Sequence, residues 1–179
     1  MKKLIIAGAF FALMPLRAQE IKLPPNLEKL ADRAHEVVDV TMDGPLLQLA
    51  ARFLSNRDPD EARVKRLVAG LKGIYVKSYE FENSGEYDER DLEPLRAQLK
   101  APGWTRIVGV KSKRSGDNAD VFIKSDNGGI TGLAVISAEP RELTIVQIIG
   151  AIQPEDLRDL GGNFGIPRLE FKNKQGKED

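Results

Sequence analysis

The chain has 179 residues, with 27 basic and 27 acidic side chains, one histidine and no cysteine. That balance excludes a nucleic-acid surface, which needs clustered excess base, and the missing cysteine excludes disulfides, thiol catalysis and a thioether lipid anchor. The length suits one domain with a sizeable core and is short for two.

Residues 1–18 are laid out as a secretory signal peptide: basic Lys2 and Lys3, an apolar run from Leu4 to Leu13, then Pro15 ahead of Arg17-Ala18-Gln19. The run is too short to remain as a bilayer span, so no transmembrane segment is expected in the mature chain. Its removal takes away Lys2, Lys3 and Arg17, leaving 24 bases against 27 acids, a net charge of about −3. The expected product is exported, periplasmic or secreted, and soluble. Residues 19–160 form a single α+β domain in this reading, and 161–179, rich in Gly, Lys and Glu, a flexible tail.

Asn26 suits the cap of a short helix over 27–34, where Leu27, Leu30, Ala31 and Ala34 fall at helical spacing. Residues 36–42 either extend that helix or begin a strand; their β-branched content favours a strand ended by Asp43-Gly44. Pro45 fits the first turn of a helix with an apolar stripe of Leu46, Leu49, Ala50, Phe53 and Leu54. Asp58 and Pro59 open the next helix, over 60–71, with Ala62, Val64, Leu67, Val68 and Leu71 on one face and Gly73 as its stop. Residues 74–81 alternate as a strand. Ile74 and Val76 point one way, and Tyr75, Lys77, Tyr79 and Phe81 the other, an aromatic face that something must cover. A helix through Leu92, Leu95 and Leu99 follows, opened by Asp88 and ended by Pro102-Gly103.

The stretch 104–152 organises the rest as a four-stranded antiparallel meander. Its first strand covers 104–113, with Val108 breaking period two, and turns at Ser115-Gly116-Asp117-Asn118. Val121 and Ile123 then form one aliphatic face, while Asp120, Phe122 and Lys124 make the other mixed. Asp126-Asn127-Gly128-Gly129 is the clearest hairpin signal. The run Leu133-Ala134-Val135-Ile136 predicts a central strand buried on both faces. Glu139-Pro140-Arg141-Glu142 is the third turn, and residues 143–149 the last strand. A short helix is expected after Pro154, packed by Leu157 and Leu160. The architecture implied is α+β: an antiparallel sheet of five or six strands with helices packed on one face.

The segments VVDVTMDGPLLQLAARFL, LKGIYVKSYEFENSGEYD, WTRIVGVKSK and ELTIVQIIGAI resemble a family of exported bacterial proteins, domain of unknown function family 4252, over residues 27–160. The resemblance implies an envelope protein. Many members carry a lipobox cysteine, which this chain lacks, and the family pattern supplies no catalytic residues.

No chemical motif stands out. His35 is the single histidine, which leaves neither a histidine metal cluster nor a Ser-His-Asp triad in easy reach. Phosphate loops and dinucleotide fingerprints are missing too. Glu86, Asp88, Glu89 and Asp91 cluster, but as acids at a helix start and without the spacing of a calcium loop. No catalytic, cofactor-binding or metal site is assigned, and the chain is expected not to be an enzyme. Three functions stay open. The first is an envelope protein that holds a protein partner through a sheet face or edge, its candidate surface Tyr75, Tyr79, Phe81 and the charged turn Glu139, Arg141 and Glu142. The second is a carrier of an apolar ligand. The third is a hydrolase pairing Asp88 with Glu139.

Overall fold

The computed structural model describes residues 21–155. The signal peptide expected over 1–18, the helix expected with Leu157 and Leu160, and the tail expected over 161–179 lie outside the described residues.

Among the described residues, six strands form one open antiparallel sheet. They are β1 (Glu36–Asp43), β2 (Leu71–Glu80), β3 (Trp104–Lys111), β4 (Asn118–Asp126), β5 (Gly129–Glu139) and β6 (Glu142–Ile152), in the order β1-β2-β6-β5-β4-β3. The last four are the expected meander, and residues 36–42 are strand. Asn127 and Gly128 hold φ of 50° and 79°, the pair of positive values that a two-residue type I′ turn requires. β2 pairs with β6 on the outer side of the meander and β1 pairs with β2, so the sheet has β1 and β3 as its edges.

β5 is the central strand, with Leu133 to Ile136 all buried. Because successive side chains of a strand point to opposite faces, its residues feed two cores. One face gathers Tyr79, Phe81, Phe122, Ala134, Ile136 and Leu143. The other gathers Val121, Leu133, Val135, Val146, Ile148 and Ile152. A strand apolar on both sides needs a cover on both. The sheet therefore carries helices on both faces and not on one, as the sequence reading had it.

The first face is covered by α1 (Pro25–Glu28), the 3-10 turns Lys29–Asp32 and Glu89–Leu92, and α4 (Glu93–Gln98). Asn26 does not cap the first helix, which starts one residue earlier; its Nδ2 donates to the Asp91 carbonyl at 2.8 Å and ties the two covering segments together. α4 has six residues, too few to be stable alone. Leu92, Leu95 and Leu99 are buried beneath it, each worth about 1.5–3 kcal/mol, and that burial holds the segment down.

The second face is covered by α2 (Gly44–Ala51) and α3 (Pro59–Gly70). Asp43 caps α2, its Oδ1 accepting from the Leu46 amide at 3.0 Å. Asp58 caps α3 by accepting from the amides of Asp60 and Glu61. α3 ends at Gly70, and β2 begins at the next residue, three before Ile74. Gly150 of β6 passes close to this junction: at φ 140°, a Cβ on it would lie 2.5 Å from the Gly70 carbonyl oxygen and the Leu71 Cα.

The phase of α2 departs from the expected stripe. Leu47 and Ala51, one turn apart, face the sheet, while Leu46, Leu49 and Phe53 are exposed. Leaving β1 directly into a capped, proline-started helix fixes which side turns inward, and that side is not the more apolar one.

Candidate functional site

The structure scatters the residues of the expected interaction surface. Tyr79 and Phe81 lie in the first core, 0% and 2% exposed, because the chain covers its own aromatic face with Leu27, Leu30 and Leu92. Those two residues are therefore removed from the candidate surface. Tyr75 lies across Gly73 on the same strand and lines a cavity of about 590 Å³ between α1 and β1. His35 is at the surface, its Nδ1 3.5 Å from a Glu82 carboxylate oxygen.

Glu139, Arg141 and Glu142 are exposed at the β5–β6 hairpin. The tip is fastened from outside: the Tyr87 hydroxyl reaches the carbonyl oxygens of Glu139 and, at 2.9 Å, Glu142, and its ring packs on Phe81. Burial, with Glu139, Glu89 and Glu142 nearby, raises the Tyr87 phenol far above its ordinary range. Burial and the charges of Glu142 and Asp117 also raise the Glu139 carboxyl. Asp88 and Glu139 line one cavity of about 260 Å³. Asp88, however, is committed: it accepts from the amide and guanidinium of Arg90, which holds its carboxyl below the usual range. Among the described residues no group of three or more His, Cys, Asp or Glu is placed to hold a metal ion.

A polar cluster that the sequence did not announce lies between α4 and the β3–β4 edge. Asp120 points into the first face and is 7% exposed. Its two oxygens accept from Arg96 Nε at 3.2 Å and Arg106 Nη1 at 3.0 Å. Arg96 also pairs with Glu89, which accepts from Asn118 Nδ2 as well. Burial pulls the Arg96 guanidinium down, but Glu89 and Asp120 leave it above its ordinary value. Gly109 lets Arg106 lie flat along β3, since a Cβ there would sit 3.0 Å from the guanidinium carbon. The cluster forms one wall of a cavity of about 630 Å³. The separation of 24 positions between Arg96 and Asp120 hides the pairing from any local pattern. The available signal was an acid alternating with Phe122 on a face that had to be covered.

The two sheet edges differ. β3 is interrupted by a bulge between Arg106 and Val108 and carries Arg106 and Lys111, both devices that discourage edge pairing. β1 pairs with β2 in unbroken register from Glu36 to Asp43 and has no proline, lysine or arginine. Val37, Val38 and Val40 on it are exposed, and the chain passes straight into α2, whose outer side shows Leu46 and Leu49 and which is followed by an 83% exposed Phe53. Leu46 and Leu49 stand at i and i+3 on one side of the helix, Phe53 follows in the turn after it, and Val64 of α3 is exposed too.

Among the described residues, no helix is long and apolar enough to cross a membrane. No curated protein matches the chain. The family model for the domain of unknown function DUF4252 matches residues 32–160, a span that takes in the whole sheet and its covering segments from α2 onward. The chain belongs to the DUF4252 family.

Proposed function

We propose that this chain is an exported, non-enzymatic module that binds another protein by strand addition at β1. The observation that carries the reading is the asymmetry of the edges: β3 is bulged and basic, whereas β1 is regular, has no basic residue or proline, and is open among the described residues. An open edge offers a row of unpaired amides and carbonyls that an extended peptide satisfies, with pockets for its alternate side chains. The occupant that fits is an extended partner segment rich in β-branched residues with basic residues at its ends. Glu36 and Asp43 place carboxylates at the two ends of β1, and Asp39 lies between them, bound to Lys77 at 2.6 Å. Leu46, Leu49 and Phe53 extend the contact beyond the edge. Export is supported by the layout of residues 1–18 and by the character of the family that the sequence resembles.

The test is photo-crosslinking in cells from single positions on the two edges. Crosslinks to one partner from Val38 and Phe53, with none from Lys111, are expected. Val38→Lys with Val40→Lys should abolish them while the far-ultraviolet circular dichroism stays native. Equal crosslinking from both edges, or crosslinks that survive the lysine pair, would sink the strand-addition reading. Crosslinks only to a second copy of the chain would replace the partner by self-association.

A further inference from the structure

The cleft between α4 and the β3–β4 edge holds more positive charge than its own carboxylates use. Arg96, Lys100, Arg106 and Lys111 line it, against Glu89 and Asp120. Both carboxylates are satisfied from within: Asp120 by Arg96 and Arg106, Glu89 by Arg96 and Asn118. Lys100 and Lys111 have no carboxylate partner among the described residues, and Arg106, with a 60% exposed side chain, commits only Nη1 to Asp120. The guanidinium is nevertheless held in place by that bond and by the bare backbone of Gly109 beneath it. A cation oriented before the ligand arrives loses little entropy on binding.

The deeper wall is apolar. Leu99 and Phe122, 2% and 7% exposed, form it. Asn118 adds a buried Oδ1 with no hydrogen-bond partner, beside an Nδ2 that donates to Glu89. A volume of about 630 Å³ lies within the range of small-molecule sites. Taken together, the walls specify both ends of a ligand.

We propose that this cleft binds a small organic anion, a carboxylate on an apolar body, with the carboxylate against Arg106, Lys100 and Lys111 and the body against Leu99 and Phe122. The site lies at the opposite edge of the sheet from β1, five strand spacings or about 24 Å away, and does not rest on strand addition there. Arg96 and Asp120 act as positioning residues, since their bonds are made within the protein.

Titration calorimetry of the full chain with octanoate, octanol and inorganic phosphate tests the assignment. Octanoate should bind about tenfold or more tightly than either of the others, since octanol lacks the charge and phosphate the body. Lys100→Glu with Lys111→Glu should weaken octanoate by about tenfold or more, while Lys72→Glu, at the start of β2, should leave it within about twofold. Both lysines of the double variant are exposed, so the fold should persist, and an unchanged melting curve checks this. If the double variant unfolds, the single Lys100→Gln and Lys111→Gln exchanges must each weaken octanoate. Amide shifts on adding octanoate should centre on Gly109 and Asn118. No octanoate binding, equal binding of octanol or phosphate, or affinity indifferent to the lysines would each overturn the proposal.

Discussion

Tyr79 offers the sharpest test of the packing argument. Its side chain is wholly buried, its hydroxyl has no hydrogen-bond partner, and its ring packs in the core beneath α1. A buried, unsatisfied polar group costs about 1–3 kcal/mol, so Tyr79→Phe, which keeps the ring and removes only the hydroxyl, should stabilise the fold at pH 7. For a domain of this size, each kcal/mol is worth about 3 °C in Tm. The pH dependence gives an independent reading. Burial first, then Asp39 and Glu28, push the phenol from 10.0 up to about 12. A folded-state value above the unfolded one means that the folded state prefers the protonated form. That contribution is complete below pH 10 and is lost as pH climbs towards 12, when the unfolded tyrosine ionises and the folded one resists. Two pH units correspond to about 2.7 kcal/mol. The advantage of the phenylalanine variant over the parent should therefore widen between pH 9 and pH 12 in urea unfolding followed by circular dichroism. Tyr87 and the lysines titrate in both proteins and cancel in the difference. A variant less stable than the parent at pH 7, with a gap that does not change with pH, would refute the reasoning and require a partner for the hydroxyl.

Two further predictions concern the cleft and the turns. Asp120→Ala leaves Arg96 and Arg106 without their shared carboxylate and should cost about 2–3 kcal/mol, whereas Arg106→Gln, at an exposed side chain, should cost less than about 1 kcal/mol; urea midpoints that reverse this order would show that Asp120 is not the hub. Gly150→Ala sets a Cβ against backbone atoms at 2.5 Å and should destabilise by about 3 kcal/mol or more. Gly128→Ala, at φ 79° with nothing within 4 Å, should cost only the left-handed backbone penalty of about 1–2 kcal/mol; equal thermal shifts for the two variants would contradict the close approach of β6 to the start of β2.

What was legible in the sequence followed from local chemistry. Asn127-Gly128 and Pro140 declared their turns, Asp58-Pro59 declared a helix start, and the apolar run from Leu133 to Ile136 declared a central strand. That run also implies two covered faces, which is what the structure has, against the one helix-bearing face expected. The other departures depend on how the chain is placed in three dimensions rather than on local composition. Which of Leu46 and Leu47 turns inward is set by where β1 delivers the chain, not by the composition of α2. Tyr79 and Phe81 read as a binding face because their cover, Leu27, Leu30 and Leu92, lies on segments far away in the chain. Asp120 looked like one more charge on a mixed strand until α4 and β3 brought Arg96 and Arg106 to it.

The placement of apolar residues separates what folds this chain from what it shows to others. An isolated exposed leucine or valine needs no explanation, and Ile107 and Val110 on β3 are of that kind, set beside a bulge and flanked by base. The β1–α2 region is different in two respects. Val38 and Val40 share one face of the strand, and Leu46 and Leu49 stand three apart on the helix that follows, so these exposed residues come in neighbouring pairs rather than singly. They also occur where the chain had an alternative: α2 buries Leu47 and Ala51 while its larger apolar side chains, Leu46 and Leu49, stay in water beside Phe53 of the following turn. A helix shaped only by its own core would turn the larger side chains inward, because each such side chain is worth about 1.5–3 kcal/mol on burial. The orientation observed forgoes that gain, and burial against a partner at the open edge would recover it.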